Sequence, residues 1–198
     1  AEKDGYQGYV KKIYLEPFEP KTHWVKSLVT HAYIEPNIKS SNQISLPFGS
    51  LISMTSDVKK FVMTKYGCIP KQHLMPIGSF FSDPIQVASL FLGTPYLWGG
   101  NSAIGIDCSG LIQTACLACG IACPGDSGPQ QTAFSNVGGP WGKGQLIFWK
   151  GHVALTISDT ELIHANARTM SVTIERIEEA IENIAKAGNG AVTHRALI

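Results

Sequence analysis

Residues 105–113 read GIDCSGLIQ, and this stretch decides the fold class. From Cys108 onward, small and apolar residues recur at three- and four-residue steps as far as Cys119, which predicts a helix that ends at Gly120. Cys108 then lies in the first turn, where unpaired backbone N–H groups and the helix dipole stabilise a thiolate. The same N–H groups can bind the oxyanion of a tetrahedral intermediate. A buried cysteine that packs as a small apolar residue fits the segment alone equally well.

Two histidines follow in predicted strands. His152 opens the apolar run HVALTI, and His164 lies twelve residues later in LIHANA. A lone histidine at a strand start is more often structural than catalytic. A hairpin about Ser158 with an odd-length loop or a bulge would place both rings on one face, where His164 can fix the tautomer of His152. A two-residue turn at Asp159-Thr160 would instead place them on opposite faces.

A helix that begins with a cysteine and precedes an antiparallel sheet that carries histidines has an α+β layout. Upstream, Asp83 as N-cap and Pro84 in the first turn predict a helix over residues 85–92, ended by Gly93. Beyond a Pro- and Gly-rich segment at 124–144, strands are predicted at 146–149, 152–157 and 162–164, with edge strands at 172–174 and 191–193 flanking a helix over 177–187.

Residues 1–80 have a different pattern. Short apolar or β-branched runs alternate with turn-forming residues at roughly ten-residue spacing, as expected of a small β-barrel. Residues 67–70 are predicted to form its closing strand, and residues 4–10 to be the last strand of a preceding barrel. The other predicted strands are Val10, Ile13-Tyr14 and residues 24–29, 32–34, 49–54 and 61–63.

Composition excludes several classes of protein. Hydrophobic residues make up 44% of the 198 residues and charged residues 16%, so the chain can bury a core and is not predicted to be disordered. The net charge is +1, and Lys and Arg do not cluster with aromatic residues, so we expect no nucleic-acid partner. No apolar run approaches the length of a membrane span. We expect a monomer.

The cysteines bear on the compartment. There are five, and four of them lie within residues 108–123, which is atypical of a disulfide scaffold and favours a reducing environment. We therefore expect a cytoplasmic protein. The first residues, AEKDGYQGYV, contain neither an initiator Met nor a signal peptide, so a processed periplasmic or secreted protein is the alternative.

Cys116, Cys119 and Cys123 are close enough in sequence to suggest a metal or redox role as an alternative to simple packing. Zinc sites of this type need four ligands, and no second paired motif completes the set. We therefore predict no metal and no cofactor. We interpret the other histidines as surface or core residues: His23, His31, His73 and His194. Glu175-Arg176 and Glu178-Glu179 are interpreted as a solvated helix face.

The segment GTPYLWGGNSAIGIDCSGLIQ, together with GHVALTI and ELIHANA, resembles the NlpC-type cell-wall cysteine peptidases, a bacterial branch of the papain-like fold. The resemblance covers roughly residues 84–198. The preceding region resembles the bacterial SH3-like modules that often come before such domains. We therefore expect an SH3-like β-barrel region over residues 1–80 and a papain-like catalytic domain over 81–198.

The resemblance implies roles for particular residues. It makes Cys108 the nucleophile, His152 the base and His164 the orienting residue. Tyr96 matches a tyrosine whose hydroxyl points at the active site, and Trp98 matches an aromatic wall.

Other matched positions concern the substrate. Asp107 and Ser109 match residues that bind a free N-terminal amine in a dipeptidyl-peptidase subgroup, although Asp107 could simply cap the helix. Ser127 matches a further substrate-contacting serine. Tyr6 is a candidate to close the pocket. Gln145 departs from the family, which usually has an acidic residue there, and puts local packing in doubt.

The resemblance implies a peptidase that cuts the γ-D-glutamyl–diamino acid bond of peptidoglycan stem peptides with a free N-terminal L-alanine. The expected mechanism is a thiolate–imidazolium pair of Cys108 and His152. Two alternatives stay open: a non-catalytic peptidoglycan-binding protein, and an amidase or acyltransferase on the same fold. The intact Cys/His/His set argues against the first, since a scaffold has no need of all three.

Overall fold

The computed structural model describes residues 8–15 and 17–198. It divides into two compact units, Gly8–Phe80 and Phe81–Ile198. Within the described residues, no helix combines the length and the apolar character needed to cross a membrane. The strand predicted at residues 4–10 lies mostly outside the described residues, and Gly8 to Val10 form no regular element.

The unit Gly8–Phe80 consists of short antiparallel strands. The strands are β1 (His23–Val25), β2 (Val29–Tyr33), β3 (Asn42–Pro47), β4 (Leu51–Ile52), β5 (Met54–Val58), β6 (Phe61–Thr64), β7 (Gly67–Pro70) and β8 (Leu74–Pro76). One sheet has the order β4-β1-β8 and the other the order β3-β2-β7-β6-β5. The residues predicted as a strand at Ile13-Tyr14 form a 3₁₀ turn instead, Lys12–Tyr14.

The core of this unit is formed by inward-facing residues of most of its strands. In β2 the buried residues alternate with exposed ones, so Thr30 and Ala32 point inward while their neighbours face water. Apolar residues from most strands meet there: Val25, Ala32, Leu46, Ile52, Val62, Ile69 and Leu74. This all-β organisation agrees with the predicted small barrel, and the SH3-like assignment itself stays a prediction.

The unit Phe81–Ile198 is α+β, as predicted. Its helices are α1 (Pro84–Leu90), α2 (Cys108–Ala118), α3 (Ser127–Ala133) and α4 (Ile177–Ile184). Its strands are β9 (Asn101–Ser102), β10 (Gly105–Ile106), β11 (Ser135–Asn136), β12 (Gln145–Trp149), β13 (His152–Thr156), β14 (Glu161–Asn166), β15 (Ser171–Arg176) and β16 (His194–Leu197).

The main sheet has the order β11-β16-β12-β13-β14-β15, with antiparallel pairing throughout. Every residue of β12 and β13 is buried, so both faces of the sheet centre are covered. Helix α4 packs on it through Ile177, Ala180 and Ile184. Helix α2 contacts β13 and β14. This packing fixes the start of α2 beside the strands that carry the histidines.

Local signals predicted the helix ends well. The Asp83 carboxylate accepts a hydrogen bond from the N–H of Ile85, although α1 ends two residues before the predicted Leu92. Helix α2 ends in a Schellman motif: the N–H groups of Gly120 and Ile121 donate to the carbonyls of Leu117 and Cys116, and Gly120 has φ 75°.

Three predictions in this unit were wrong or incomplete. The Pro- and Gly-rich segment contains a helix, α3, which the sequence analysis did not predict. The last strand begins at His194, after the predicted residues 191–193. Glu175 lies on strand β15 and not on a helix face.

Candidate active site

Helix α2 begins at Cys108, which is only 6% exposed to solvent. Burial raises the pKa of the Cys108 thiol to about 11, and the negative charge of Asp107 acts in the same direction. The backbone N–H groups of Val153, Ser109 and Cys108 itself lower this pKa but do not offset burial. The sulfur therefore lies near the backbone N–H of Val153, the residue that directly follows His152. The helix start thus supplies N–H donors around a thiol that is protonated at neutral pH.

The two histidines lie on one face of the β13–β14 hairpin. Leu155 is opposite Ile163, and the N–H of Ile157 donates to the carbonyl of Glu161. The connecting loop is therefore Ser158–Thr160, which has the odd length that a shared face requires. In this register the histidines are diagonal neighbours and do not stand directly opposite each other. Their rings nonetheless meet, with His152 Nε2 lying 2.9 Å from His164 Nδ1.

This contact decides which nitrogen of His152 can serve a thiol. Nε2 is occupied by His164, so Nδ1 is the ring nitrogen left for an acid–base role. Burial, together with the neighbouring His164, lowers the pKa of His152 to about 3, and Glu175 opposes the shift. These shifts favour neutral partners, and the thiolate–imidazolium pair expected from the sequence stays a prediction. At pH 7 the thiol of Cys108 holds its proton and the imidazole of His152 is neutral.

Two residues that the sequence analysis missed complete the environment of His164. The amide Nδ2 of Asn166 lies 3.1 Å from His164 Nε2, and a carboxylate oxygen of Glu175 lies 3.8 Å from the same nitrogen. The other oxygen of Glu175 pairs with Arg168. The nearby His164 ring lowers the pKa of Glu175, with Arg168 contributing, so the carboxylate is ionised at neutral pH. The sequence around Glu175 carries no signal for this contact, because it depends on the pairing of β14 with β15, which sets Thr173 opposite His164.

Asp107 is the N-cap of α2. Its Oδ1 accepts hydrogen bonds from the N–H of Gly110 at 2.7 Å and from the hydroxyl of Ser109 at 3.1 Å. Its Oδ2 accepts from the N–H of Gly99 at 2.7 Å, which ties the preceding loop to the helix. Capping, the simpler of the two interpretations of Asp107, is therefore present. An amine-binding role would have to coexist with it.

The loop before α2 carries the two predicted aromatic residues. Tyr96 is half-buried, and burial raises the pKa of its hydroxyl, with further increases from Cys108 and Asp107, which places the phenol near both. Its backbone N–H donates to the carbonyl of Met170. Trp98 is 87% exposed, so it is available to a ligand but packs little within the protein.

Ser127, the last predicted contact residue, is half-buried at the first position of α3. Helix α3 is tied to the start of α2 by Gln130, whose Nε2 donates to the carbonyls of Ser109 and Pro124 at 2.9 Å each. Gln130 thus ties helix α3, which carries Ser127 at its first position, to the start of α2.

Gln145, the departure from the resemblance, has a structural role. Its Oε1 accepts a hydrogen bond of 2.6 Å from Arg195, and its Nε2 lies 3.4 Å from the carbonyl of Pro140. The Arg195 guanidinium also stacks 4.0 Å from the ring centroid of Trp141. The Gln145 amide therefore serves as the acceptor for Arg195 and links it to the loop at Pro140.

The thiols of Cys116 and Cys123 are buried and hydrogen-bonded to each other, and Cys119 is half-buried. In residues 8–15 and 17–198, no group of three or more His, Cys, Asp or Glu side chains is arranged to hold a metal ion.

The sequence pattern of the NlpC/P60 family matches residues 93–186, a range that spans Tyr96, Cys108, His152 and His164. Residues 93–186 form an NlpC/P60 domain. The papain-like α+β fold is confirmed: the crystal structure of an NlpC/P60 family protein from Bacillus cereus superposes with a TM-score of 0.70 at 26% identity, covering 88% of this chain and 62% of that one.

Two curated relatives extend the similarity beyond the NlpC/P60 domain. A gamma-D-glutamyl-L-lysine dipeptidyl-peptidase of Bacillus subtilis is 29% identical over 195 residues, covering 89% of this chain and 66% of its own length. Dipeptidyl-peptidase 6 of Lysinibacillus sphaericus is 30% identical over 168 residues, covering 73% of this chain and 60% of its own. The chain thus spans less than two thirds of the length of these relatives.

Tyr6, the candidate to close the pocket, lies outside the described residues.

We predict that Gly110→Ala damages the NlpC/P60 domain severely. A Cβ at Gly110 would overlap the carbonyl oxygen of Gly100 and lie 3.1 Å from Asp107 Oδ1, and neither group can retreat without breaking the cap. Such overpacking costs about 2 kcal/mol or more of unfolding free energy. Urea unfolding measures the loss.

Gly128→Ala is the matched control, because Gly128 lies in the first turn of α3 and a Cβ there meets nothing within 4 Å. It should be neutral or stabilising by up to about 1 kcal/mol. Equal stability of the two variants would show that the contact between the loop and α2 is not close.

Proposed function

We propose that this chain is a cysteine peptidase that hydrolyses the γ-D-glutamyl–diamino acid bond of peptidoglycan stem peptides with a free N-terminal L-alanine. One observation carries the proposal: the thiol of Cys108 lies at a helix start against the N–H of Val153, and the adjacent His152 is held by His164 at 2.9 Å. This is the arrangement of nucleophile, base and orienting group that acyl transfer needs. The name of the Bacillus subtilis relative supports the γ-D-glutamyl bond, and the name of the Lysinibacillus sphaericus relative supports a dipeptidyl-peptidase.

The resting charges define the first step of the mechanism. Cys108 and His152 are both neutral, so the thiol proton moves to His152 Nδ1 as the sulfur attacks the carbonyl carbon. The oxyanion is bound by the backbone N–H of Cys108, with the Tyr96 hydroxyl as a second donor. When the C–N bond breaks, the proton on His152 passes to the leaving amine. Water, activated by the same imidazole, then hydrolyses the thioester and restores the thiol.

Asp107 and Ser109 are the proposed recognition site for the free amine. A carboxylate offers about four lone-pair positions, and the cap uses two on Oδ1 and one on Oδ2. The remaining position on Oδ2 suits an ammonium group, for which a charge-assisted bond of this kind is strong. An acylated N-terminus would present no positive charge and would leave the buried carboxylate with a poorer partner. The enzyme should therefore favour released peptides over intact wall.

The test is hydrolysis of L-Ala-γ-D-Glu-diaminopimelate and its L-lysine counterpart, each with and without an N-acetyl cap. We expect the wild type to cleave the free peptides only, Cys108→Ala to be inactive, and EDTA to have no effect. Cys119→Ala is the matched control and should keep its activity, because Cys119 lies at the other end of α2.

Each other result has a defined meaning. Equal cleavage of free and capped peptides would keep the peptidase and remove the amine-binding role of Asp107. Inhibition by EDTA would contradict the thiol mechanism. No cleavage of any peptide would overturn the proposal in favour of a binding protein or an enzyme acting on another acyl substrate.

A further inference from the structure

His164 Nε2 faces two groups, the amide of Asn166 and the carboxylate of Glu175, which favour opposite protonation states of this nitrogen. The amide of Asn166 has a fixed orientation, because its oxygen accepts hydrogen bonds from the N–H and the hydroxyl of Thr169 at 2.8 and 3.1 Å. Its NH₂ group therefore points to the hydroxyl of Thr173 at 3.0 Å and to His164 Nε2 at 3.1 Å. An amide NH₂ only donates, so Asn166 favours an unprotonated Nε2 on His164.

That tautomer is the wrong one for catalysis. If Nε2 of His164 is unprotonated, its Nδ1 carries the proton and donates it to His152 Nε2. Neutral His152 must then be protonated on Nδ1, the only nitrogen available to the thiol of Cys108, and cannot accept a proton there. The productive state needs the reverse direction, in which His152 Nε2–H donates to His164 Nδ1, and His164 Nε2–H donates to an acceptor.

Glu175 is suited to accept this hydrogen bond by its position, its negative charge and its burial. Its side chain is only 9% exposed, and Oε2 lies 3.8 Å from His164 Nε2, less than 1 Å beyond hydrogen-bond distance. A hydrogen bond to a carboxylate is roughly twice as strong as one between neutral groups, which favours it over the amide of Asn166. Arg168, 55% exposed, holds the other oxygen.

We propose that Glu175 is a positioning residue that accepts a hydrogen bond from the protonated Nε2 of His164. This hydrogen bond selects the tautomer of His152 in which Nδ1 carries no proton. The assignment rests on the proposed function for its catalytic meaning, but the tautomer itself is a property of the free protein. Four charged or titratable groups act on the His152–His164 pair. Glu175 comes from β15 and Arg168 from the β14–β15 turn, and Cys108 and Asp107 lie at the start of α2. Asn166 holds the competing, unproductive tautomer.

A purely structural role for Glu175 is the competing explanation, since its pair with Arg168 also braces the β14–β15 turn. Glu175→Gln separates the two. Arg168 can only donate, so the new amide would turn its oxygen to Arg168 and its NH₂ group to His164. Two donors would then face His164 Nε2, the side-chain volume would be unchanged, and the tautomer would be forced into the unproductive form.

The first measurement is the ¹⁵N NMR spectrum of the histidine rings in the full chain, which needs no substrate. We expect His164 to be protonated on Nε2 in the wild type and on Nδ1 in Glu175→Gln. In hydrolysis of the free tripeptide, kcat should fall roughly 100-fold, the order that general-base catalysis contributes, with KM nearly unchanged. The acid limb of the pH profile should also move to lower pH, because Glu175 raises the pKa of His152.

A rescue variant makes the test specific. In Glu175→Gln/Asn166→Asp, a carboxylate replaces the amide beside His164 Nε2 while still accepting from Thr169, so the Nε2–H tautomer should return and most of the lost rate with it. Glu178→Gln, on the exposed side of α4, is the control and should match the wild type. An unchanged His164 tautomer in Glu175→Gln, or loss of activity without rescue, would overturn the proposal. If no variant cleaves the peptide, the NMR result still decides the tautomer separately from the function.

Discussion

Carbamidomethylation of Cys108 by iodoacetamide should accelerate about tenfold per pH unit from pH 7 to pH 10, close to 1,000-fold in total, because only the thiolate reacts. The reason is the pKa of about 11, which leaves Cys108 protonated through this range. The thiolate fraction of a group below its pKa rises in proportion to hydroxide concentration. The rate is measured by mass spectrometry of the peptide that contains Cys108, with far-UV circular dichroism confirming that the fold persists at each pH.

Cys119 provides an internal reference, because its pKa is also raised to about 11 by burial while its side chain is half-exposed. Its alkylation should show the same slope at a higher absolute rate. A preformed thiolate–imidazolium pair would behave differently and react at a constant rate from mildly acidic pH upward. A plateau for Cys108 between pH 5 and 8 would therefore contradict the neutral resting site and restore the ion pair expected from the sequence.

The sequence predicted those parts of the site that depend on neighbours along the chain. The start of α2 at Cys108 follows from a three- to four-residue apolar repeat, and its capping by Asp107 follows from residue type and position. The shared face of the two histidines depended on whether the loop between them is odd or even. The pattern left that open, and the structure settles it with the loop Ser158–Thr160.

The missed features depend on contacts between distant segments. Glu175 was interpreted as part of a solvated helix face, because an acidic residue next to an arginine has no local signal of burial. Only the pairing of β14 with β15 brings it to His164. Helix α3 was missed because Gly128 and Pro129 are poor helix formers. It is held by the contacts of Gln130 with Ser109 and Pro124, a tertiary effect that outweighs propensity.

The resemblance and the physical chemistry of the site answer different questions. Matching motifs located Cys108 and His152, but the resting charges come from their surroundings. Burial outweighs the helix N–H groups at Cys108, and at His152 it outweighs the attraction of Glu175. With these pKa values both groups are neutral in the free protein, and under the proposed function charge forms only as the substrate reacts. This makes the Glu175–His164 contact important, because a neutral imidazole has two tautomers and only one can act as base.

The same burial should make the fold sensitive to acid through His152, whose pKa is about 3 in the folded chain and about 6.5 when unfolded. Below pH 6.5 the unfolded chain binds a proton that the folded chain does not, so stability falls as pH decreases towards 3 and is constant above 6.5. Between pH 7 and pH 4 this group alone should remove about 3 kcal/mol of unfolding free energy. In His152→Gln that part of the pH dependence should vanish, whatever the variant's stability at pH 7.

Urea unfolding at pH 7, 6, 5 and 4 measures this slope, and the comparison is between slopes rather than absolute stabilities. Carboxylates whose pKa values are lowered in the folded chain, such as Glu175 and Asp83, also make the protein less stable in acid. Their contribution is the same in the wild type and in His152→Gln. His31→Gln is the matched control, because His31 is exposed and should leave the wild-type slope intact. If His152→Gln loses stability in acid as steeply as the wild type, the pKa of His152 is not lowered in the folded chain, and the strong preference for a neutral imidazole at this site is wrong.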